Sequence, residues 1–237
     1  MTDARTDQAH WGEIAEEWIA WARAPGHDAF WMYRSAFFDL VGKGSGEALD
    51  IGCGEGRVSR LLKELGYRVT AADPVTRFIE AAQEMQSADH YEVAAAAALP
   101  FQDPSFDLVV AYNMLMDVED VPAAVKEIRR VLKPSGTLIV SIVHPFADRG
   151  HFAGPEADAP FLVLGSYFGR ERFEGVEEKN GLRMHFAGWS QPLEAYMAAL
   201  TEAGFAVTQL KEPVPGEASR WARIPLFLWL KAQPFPA

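Results

Sequence analysis

The run Ala48-Leu49-Asp50-Ile51-Gly52-Cys53-Gly54-Glu55-Gly56-Arg57 sets the frame for the chain around it. Ala48 to Ile51 is a short apolar stretch broken only by Asp50, the pattern of a strand buried in a parallel sheet. Glycines follow at positions 52, 54 and 56. Glycine is needed where the backbone takes positive φ or where a ligand must come close. Val58, Leu61, Leu62 and Leu65 then recur at helical spacing. Strand, glycine loop and helix form the first unit of a nucleotide-binding α/β sheet.

The loop departs from the dinucleotide fingerprint G-x-G-x-x-G, which requires glycine where Arg57 stands. Asp50, two places before the first glycine, would repel a pyrophosphate and suits a ligand with an ammonium group. Both features disfavour an NAD-type oxidoreductase. The stretch resembles the first motif of class I S-adenosylmethionine (SAM)-dependent methyltransferases, (V/A/L)-L-D-(I/V/L)-G-C-G-x-G. The resemblance implies a Rossmann-like α/β fold: a seven-stranded, mostly parallel sheet with helices on both faces and an antiparallel last strand. It implies SAM as cofactor, with S-adenosylhomocysteine (SAH) as product. Asp50, Gly52, Cys53 and Gly54 would then wrap the methionine part of SAM.

Composition narrows the class. The 237 residues, 49% hydrophobic, suffice for one domain with a full core. No apolar run reaches the roughly 18 residues of a membrane span, and the polar start Met1–Asp7 is not a signal peptide. Cys53 is the only cysteine, which fits a reducing cytoplasm. A formal net charge of −11 would repel nucleic acid. The expected partner is a small-molecule methyl acceptor, with neither nucleic acid nor membrane. Four segments are expected: an N-terminal helical cap over 1–45, a SAM-binding core over 46–146, a lid insertion over 147–190, and the C-terminal part of the core sheet over 191–237.

Trp11, Ile14, Trp18 and Trp21 fall at steps of three and four, one face of a helix. A second helix should follow Ala24-Pro25-Gly26, with Asp28 a candidate N-cap. Both suit packing on the sheet or a homodimer contact. Trp11 to Trp18 also resembles the W-x-x-x-A-x-x-(Y/W) opening of small-molecule methyltransferases, whose N-terminal helices close over SAM. This implies pocket roles for Trp18 and Tyr33, with His27 and Arg34 beside them.

Asp73 lies 19 residues after Gly54 at the tip of the next strand, where an acidic residue accepts both ribose hydroxyls. It equally suits the N-cap of a helix over Thr76–Gln86. In the family, an apolar residue at the position of Pro74 lies against adenine. Tyr91–Phe101 resembles the family's G-D-A-x-x-L-P-F stretch, but Ala95 stands where an aspartate usually reads the adenine amino group. Backbone groups of Ala95 and Ala96 are left to make that contact. Leu108–Ala111 is a buried fourth strand, and the family likeness brings Tyr112, Asn113 and Met114 to the reaction centre or the methionine moiety. Asp117 orients a substrate or caps the helix Val121–Leu132. The Lys133-Pro134-Ser135-Gly136 turn leads to a fifth strand, Thr137–Val143. His144 emerges from its carboxyl edge.

Tyr167–Phe173 and Leu182–Phe186 can pair through Asn180-Gly181, a strong hairpin signal, as an aromatic lid. A helix from Pro192 to Gly204 and strands at Phe205–Glu212 and Ile224–Ala232 complete the chain. The resemblance covers about residues 46–146 and 190–232.

Methyl transfer is an in-line displacement, so the protein must position donor and acceptor and exclude water. His144 is the first choice of general base, with His185 of the lid as a further substrate contact. No His, Cys or carboxylate spacing suggests a metal. The expected activity is SAM-dependent methylation of an O, N or C atom of a small organic acceptor, aromatic or otherwise apolar. The alternative is a SAM-binding protein without methyl transfer, which Ala95 keeps open.

Overall fold

The computed structural model describes residues 7–216 and 219–235. Strands β1 (Glu47–Ile51), β2 (Arg68–Asp73), β3 (His90–Val93), β4 (Phe106–Tyr112) and β5 (Leu132–Val143) come first. Four more lie in an excursion: β6 (Gly150–Phe152), β7 (Phe161–Val163), β8 (Glu171–Lys179) and β9 (Leu182–Ser190). Then β10 (Phe205–Lys211) and β11 (Phe227–Pro234) close the chain. Seven of these form one sheet in the order β3-β2-β1-β4-β5-β11-β10. β1 to β5 are parallel, and β11 runs antiparallel to β5 and β10. The expected topology is therefore present.

Alternation along the central strands sends side chains to two cores. Val109 and Ala111 join Leu49 and Ile51 on one face. Leu108, Val110 and Tyr112 join Ala48 and Val69 on the other. Helices α1 (Asp7–Glu13), α2 (Ala15–Arg23), α3 (Phe30–Val41), α4 (Arg57–Glu64), α5 (Thr76–Glu84), α6 (Val121–Val131) and α7 (Leu193–Glu202) supply the covering layers. α6 and α7 pack on the first face through Val125, Ile128, Tyr196 and Leu200. α3 and α4 pack on the second through Phe37, Leu61 and Leu62. Among the described residues, no helix is long and apolar enough to cross a membrane.

Three local details differ from expectation. The first helix breaks at Ile14, whose φ of −101° and ψ of 13° leave the helical range, just after Gly12, a poor helix former. The break lets Ile14 and Trp21 face Met184 of β9, while Ala15 and Ile19 face α5. The Lys133–Gly136 stretch is part of β5, absorbed by a register shift opposite Phe106 and Leu108. The cap of α6 is Asp120, whose carboxylate accepts the Ala123 N–H at 2.9 Å, and not Asp117.

The register brings the carboxyl ends of β1, β2 and β4 level: Ile51 pairs with Ala72 and with Ala111. The residues that leave these strands therefore share one edge. The excursion after β5 returns over that edge. β8 and β9 form a hairpin turned by Asn180 and Gly181, both at positive φ (48° and 80°), as a type I′ turn requires.

Candidate functional site

A cavity of about 780 Å³ lies at this edge, walled by the glycine loop, α1, α2 and the β8–β9 hairpin. The loop forms its floor. Gly52 and Cys53 donate their N–H groups to the Ala72 carbonyl at 2.8 and 3.1 Å, which ties the end of β1 to β2. Gly52 and Gly54 take φ of +68° and +53°. A Cβ on Gly52 would sit 2.5 Å from the Met114 Cβ, and one on Gly54 would sit 3.0 Å from the Trp18 Nε1. The chain thus presents bare backbone to the cavity where no side chain fits.

Two carboxyls flank this loop. Asp50 is 1% exposed and accepts the Ser59 hydroxyl at 2.6 Å. Burial, opposed by Ser59 and reinforced by the Asp73 and Glu55 charges, pushes it up to about 7. Asp73 is 5% exposed. Its Oδ2 accepts the Gly54 N–H at 3.0 Å and its Oδ1 the Val75 N–H at 2.9 Å. Burial outweighs these two bonds and pushes it up to about 6. Asp73 thus anchors both the glycine loop and the entry to α5, and it still lines the cavity. Pro74 and Phe78 line the same end.

On the β4 side, Asn113 takes φ of +50°, a left-handed conformation that asparagine tolerates better than most residues. Its N–H donates to the Ser141 carbonyl, and its Oδ1 accepts the Ser141 hydroxyl, both at 2.7 Å. Asn113 and Met114 line the cavity, as do Tyr112, Asp117 and Trp18. Cys53 also lines it, and burial pushes its thiol up. Asp117 carries a carboxyl that burial pushes well up, with Asp7 and Asp148 adding to the effect.

Six of the expected pocket residues lie outside the lining. Arg34 of α3 pairs with Glu64 of α4 at 3.1 Å. Tyr33 is 1% exposed, packed edge-on against Phe227 and Trp229 in the core. Ala96 is buried in the opposite core, and Ala95 is exposed past the end of β3. His144 is engaged at both ring nitrogens: Nδ1 accepts the Phe146 N–H at 3.1 Å, and Nε2 meets the Glu212 carboxylate at 3.0 Å. Burial lowers its pKa, against the pull of Glu212. It caps the turn after β5 and does not reach the cavity. His185 straps the lid to α2, its Nδ1 2.6 Å from the Glu17 carboxylate.

Three residues carry more than their spacing suggested. Glu55, 1% exposed, bridges Arg60 at 2.8 Å and Arg23 of α2 at 3.6 Å. Arg57 pairs with Asp28 at 3.0 Å and lies 4.6 Å over the Phe30 ring and 4.9 Å over Trp18. Glu55, between two of the glycines, and Arg57, just past the last, therefore fasten the N-terminal helices to the loop. Asp148, four residues beyond His144, lines the cavity in its place. Its only sequence signal is its position just past the carboxyl edge of β5. Among the described residues, no group of three or more His, Cys, Asp or Glu is arranged to hold a metal ion.

The family described as a methyltransferase domain matches residues 49–140, which run from β1 into β5. A malonyl-[acyl-carrier protein] O-methyltransferase of Serratia marcescens is 35% identical over 106 residues, 43% of this chain and 42% of that protein. A ubiquinone biosynthesis O-methyltransferase of Xanthomonas oryzae pv. oryzae is 32% identical over 158 residues, 64% of this chain and 65% of that protein. The chain thus spans less than half of the first relative and about two thirds of the second. In fold, it is similar to the crystal structure of an S-adenosylmethionine-dependent methyltransferase from Mesorhizobium loti, with a TM-score of 0.66, 23% identity, and coverage of 86% of this chain and 97% of that one. The sheet order, the glycine loop with its two carboxyls and the match over β1 to β5 agree: residues 49–140 carry a methyltransferase domain, in a chain with the fold of S-adenosylmethionine-dependent methyltransferases.

Proposed function

We propose that the protein transfers the methyl group of SAM to a small organic acceptor held beneath the β8–β9 hairpin. One observation carries this reading: an open glycine loop flanked by two buried carboxyls, inside a cavity with aromatic walls. The donor set fits the cofactor. Asp73 keeps lone pairs beyond those used by Gly54 and Val75, as a ribose diol requires, and Asp50 suits an ammonium group. Bound there, SAM supplies an electrophilic methyl on a sulfonium. Gly52 and Gly54 admit the ligand's backbone approach, Trp18 and Phe78 cover it, and Met114 and Asn113 shape the floor.

The rest of the cavity belongs to the acceptor. Phe173, Val176 and Phe186 of the hairpin give the cavity an apolar wall, and Tyr112 lines it as well. Such a wall favours an acceptor with an apolar or aromatic body. Closure by the hairpin and the N-terminal helices excludes water from the displacement. The single cysteine and the acidic surface suit a cytoplasmic setting. The relatives are named for O-methylation, and their acceptors need not be shared.

Incubation of the purified protein with methyl-labelled SAM and a metabolite extract, read by mass spectrometry, tests the reading. A labelled product with matching SAH is expected. Tight SAM binding by calorimetry with no labelled product from any extract would favour a SAM-binding protein that transfers nothing.

A further inference from the structure

Two carboxyls in the cavity have no task in holding SAM. Asp148 sits in the short turn Ala147–Arg149 after β5, and Asp117 in the turn after β4. Both line the cavity, and neither side chain forms a hydrogen bond or ion pair among the described residues. The cations around them are committed elsewhere. Arg149, the neighbour of Asp148, turns away to Glu171 at 2.5 Å and to the carbonyls of Gly169 and Ser190. Arg172 is paired with Asp7. Arg170 lies over Trp189 and donates to the Val118 carbonyl. Arg220 donates to the Gly154 carbonyl and lies over Phe152, and Lys179 donates to the Gly26 carbonyl. Behind the pair, Tyr196 is 3% exposed, and its hydroxyl has no aligned hydrogen-bond partner, only the side chain of Gln191 beside it.

Resting on the methyltransferase reading, we infer that the acceptor is an amine that enters as its ammonium ion, is held by Asp117 and Asp148, and gives a proton to Asp148. Two unpaired carboxyls beside apolar walls make a poor site for an anion and an adequate one only for a neutral group. An ammonium satisfies both. The charged groups that reach them agree with this. Burial pushes Asp148 up to about 7, against the Arg149 charge. Burial also raises Asp117, with Asp7, Asp148 and Asp73 adding to it and Arg172 opposing. Without an acceptor, burial therefore favours the protonated form of each, Asp148 up to about 7, and an arriving cation draws the protons off. A carboxyl titrating near neutrality is also matched to general-base work. In the step itself, the ammonium N–H bond breaks toward the Asp148 carboxylate. The freed nitrogen lone pair forms the N–C bond to the methyl group. The C–S bond breaks with its electron pair on sulfur, so that SAH leaves and the nitrogen is left as an N-methylated ammonium.

The test uses the full chain and a metabolite extract separated by ion exchange at pH 7 into cationic, neutral and anionic fractions, each offered with methyl-labelled SAM. Label confined to the cationic fraction is expected. Label confined to the neutral or anionic fractions overturns the amine inference and leaves methyl transfer intact. Label in no fraction refutes methyl transfer, and this inference with it. The purified labelled product then serves as a binding probe in calorimetry. Asp148→Asn should weaken its binding at least tenfold and lower kcat at least tenfold, with SAM affinity within experimental scatter and Tm no lower than that of the wild type. Asp148→Glu should recover part of both. If Asp148→Asn keeps product affinity and kcat, the assignment of Asp148 is wrong.

Discussion

Asp73→Ala is the substitution that most directly examines the cofactor end. The wild-type carboxylate accepts two backbone N–H groups, from Gly54 and Val75, while facing the cavity. Alanine removes the ribose acceptors together with the loop anchor. A hydrogen bond to a charged group contributes about 1.5–3 kcal/mol, so SAM affinity should fall by roughly 10- to 150-fold. Two buried N–H groups also lose their partner, at about 1–3 kcal/mol each when they stay dry, so unfolding stability should fall as well. Asp73→Asn retains one oxygen acceptor and should fall between alanine and wild type. The carboxyl also predicts a pH dependence. Its value in the folded protein is about 6, and ribose hydroxyls donate to the ionised form. SAM affinity should therefore be level above about pH 7 and decline as pH drops through 6, and this decline should vanish in Asp73→Ala. The assay is calorimetry with SAH across pH 5–8, with Tm measured in parallel. A folded Asp73→Ala protein that binds SAH within twofold of wild type would refute the ribose assignment.

Asp50 is raised from an ordinary 3.8 to about 7, so the folded state holds an extra proton between those values, and ionising Asp50 costs stability as pH rises through that window. Asp50→Asn should therefore gain about 1–3 kcal/mol over wild type in the ligand-free protein between pH 5 and pH 8, read as a difference in denaturation midpoints, while binding SAM more weakly. Equal pH profiles for the two proteins would contradict the burial argument. Arg57→Met should lower stability by about 1–2 kcal/mol through its lost ion pair and ring contacts, and amide exchange should quicken in α2 and α3. Unchanged exchange there would mean that Arg57 does not fasten those helices. Gly52→Ala places a Cβ 2.5 Å from the Met114 Cβ at a φ of +68°. It should cost about 1–3 kcal/mol of stability and at least tenfold in SAM affinity by calorimetry, and tolerance of the alanine would argue against the cradle.

The fold was legible because its signals are local. A strand ending in Gly52, an acid at Asp73 and the Asn180-Gly181 turn each specify backbone within a few residues, and the structure has all three. Where the chain differs, a distant contact wins. Helix spacing alone runs the first helix through Ile14, but Met184, 170 residues away, pulls Ile14 and Trp21 to the lid side. Asp117 and Asp120 are both acids before one helix, and only the geometry at Ala123 selects Asp120 as the cap.

The site divides along the same line. The end proposed for the cofactor is built from one loop and the tips of neighbouring strands, so its residues could be read in order along the chain. The end proposed for the acceptor is built across long separations. Asp7 of α1 accepts the Trp189 indole N–H at 2.8 Å and pairs with Arg172. His10 reaches the His185 carbonyl at 3.2 Å, and Glu17 holds the His185 ring. These ties join residues more than 160 positions apart, which no spacing rule can anticipate. They also explain why His185, expected from the sequence as a substrate contact, serves as a strap. The hairpin and the N-terminal helices are thus one cover fastened on both sides of the cavity, with Glu55 and Arg57 fixing its other margin to the glycine loop. Because the loop proposed to hold SAM also carries the cover's anchors, order in the loop and closure of the cover should be mechanically coupled: a substitution at Arg57 or Glu55 should weaken SAM binding as well as loosen the cover.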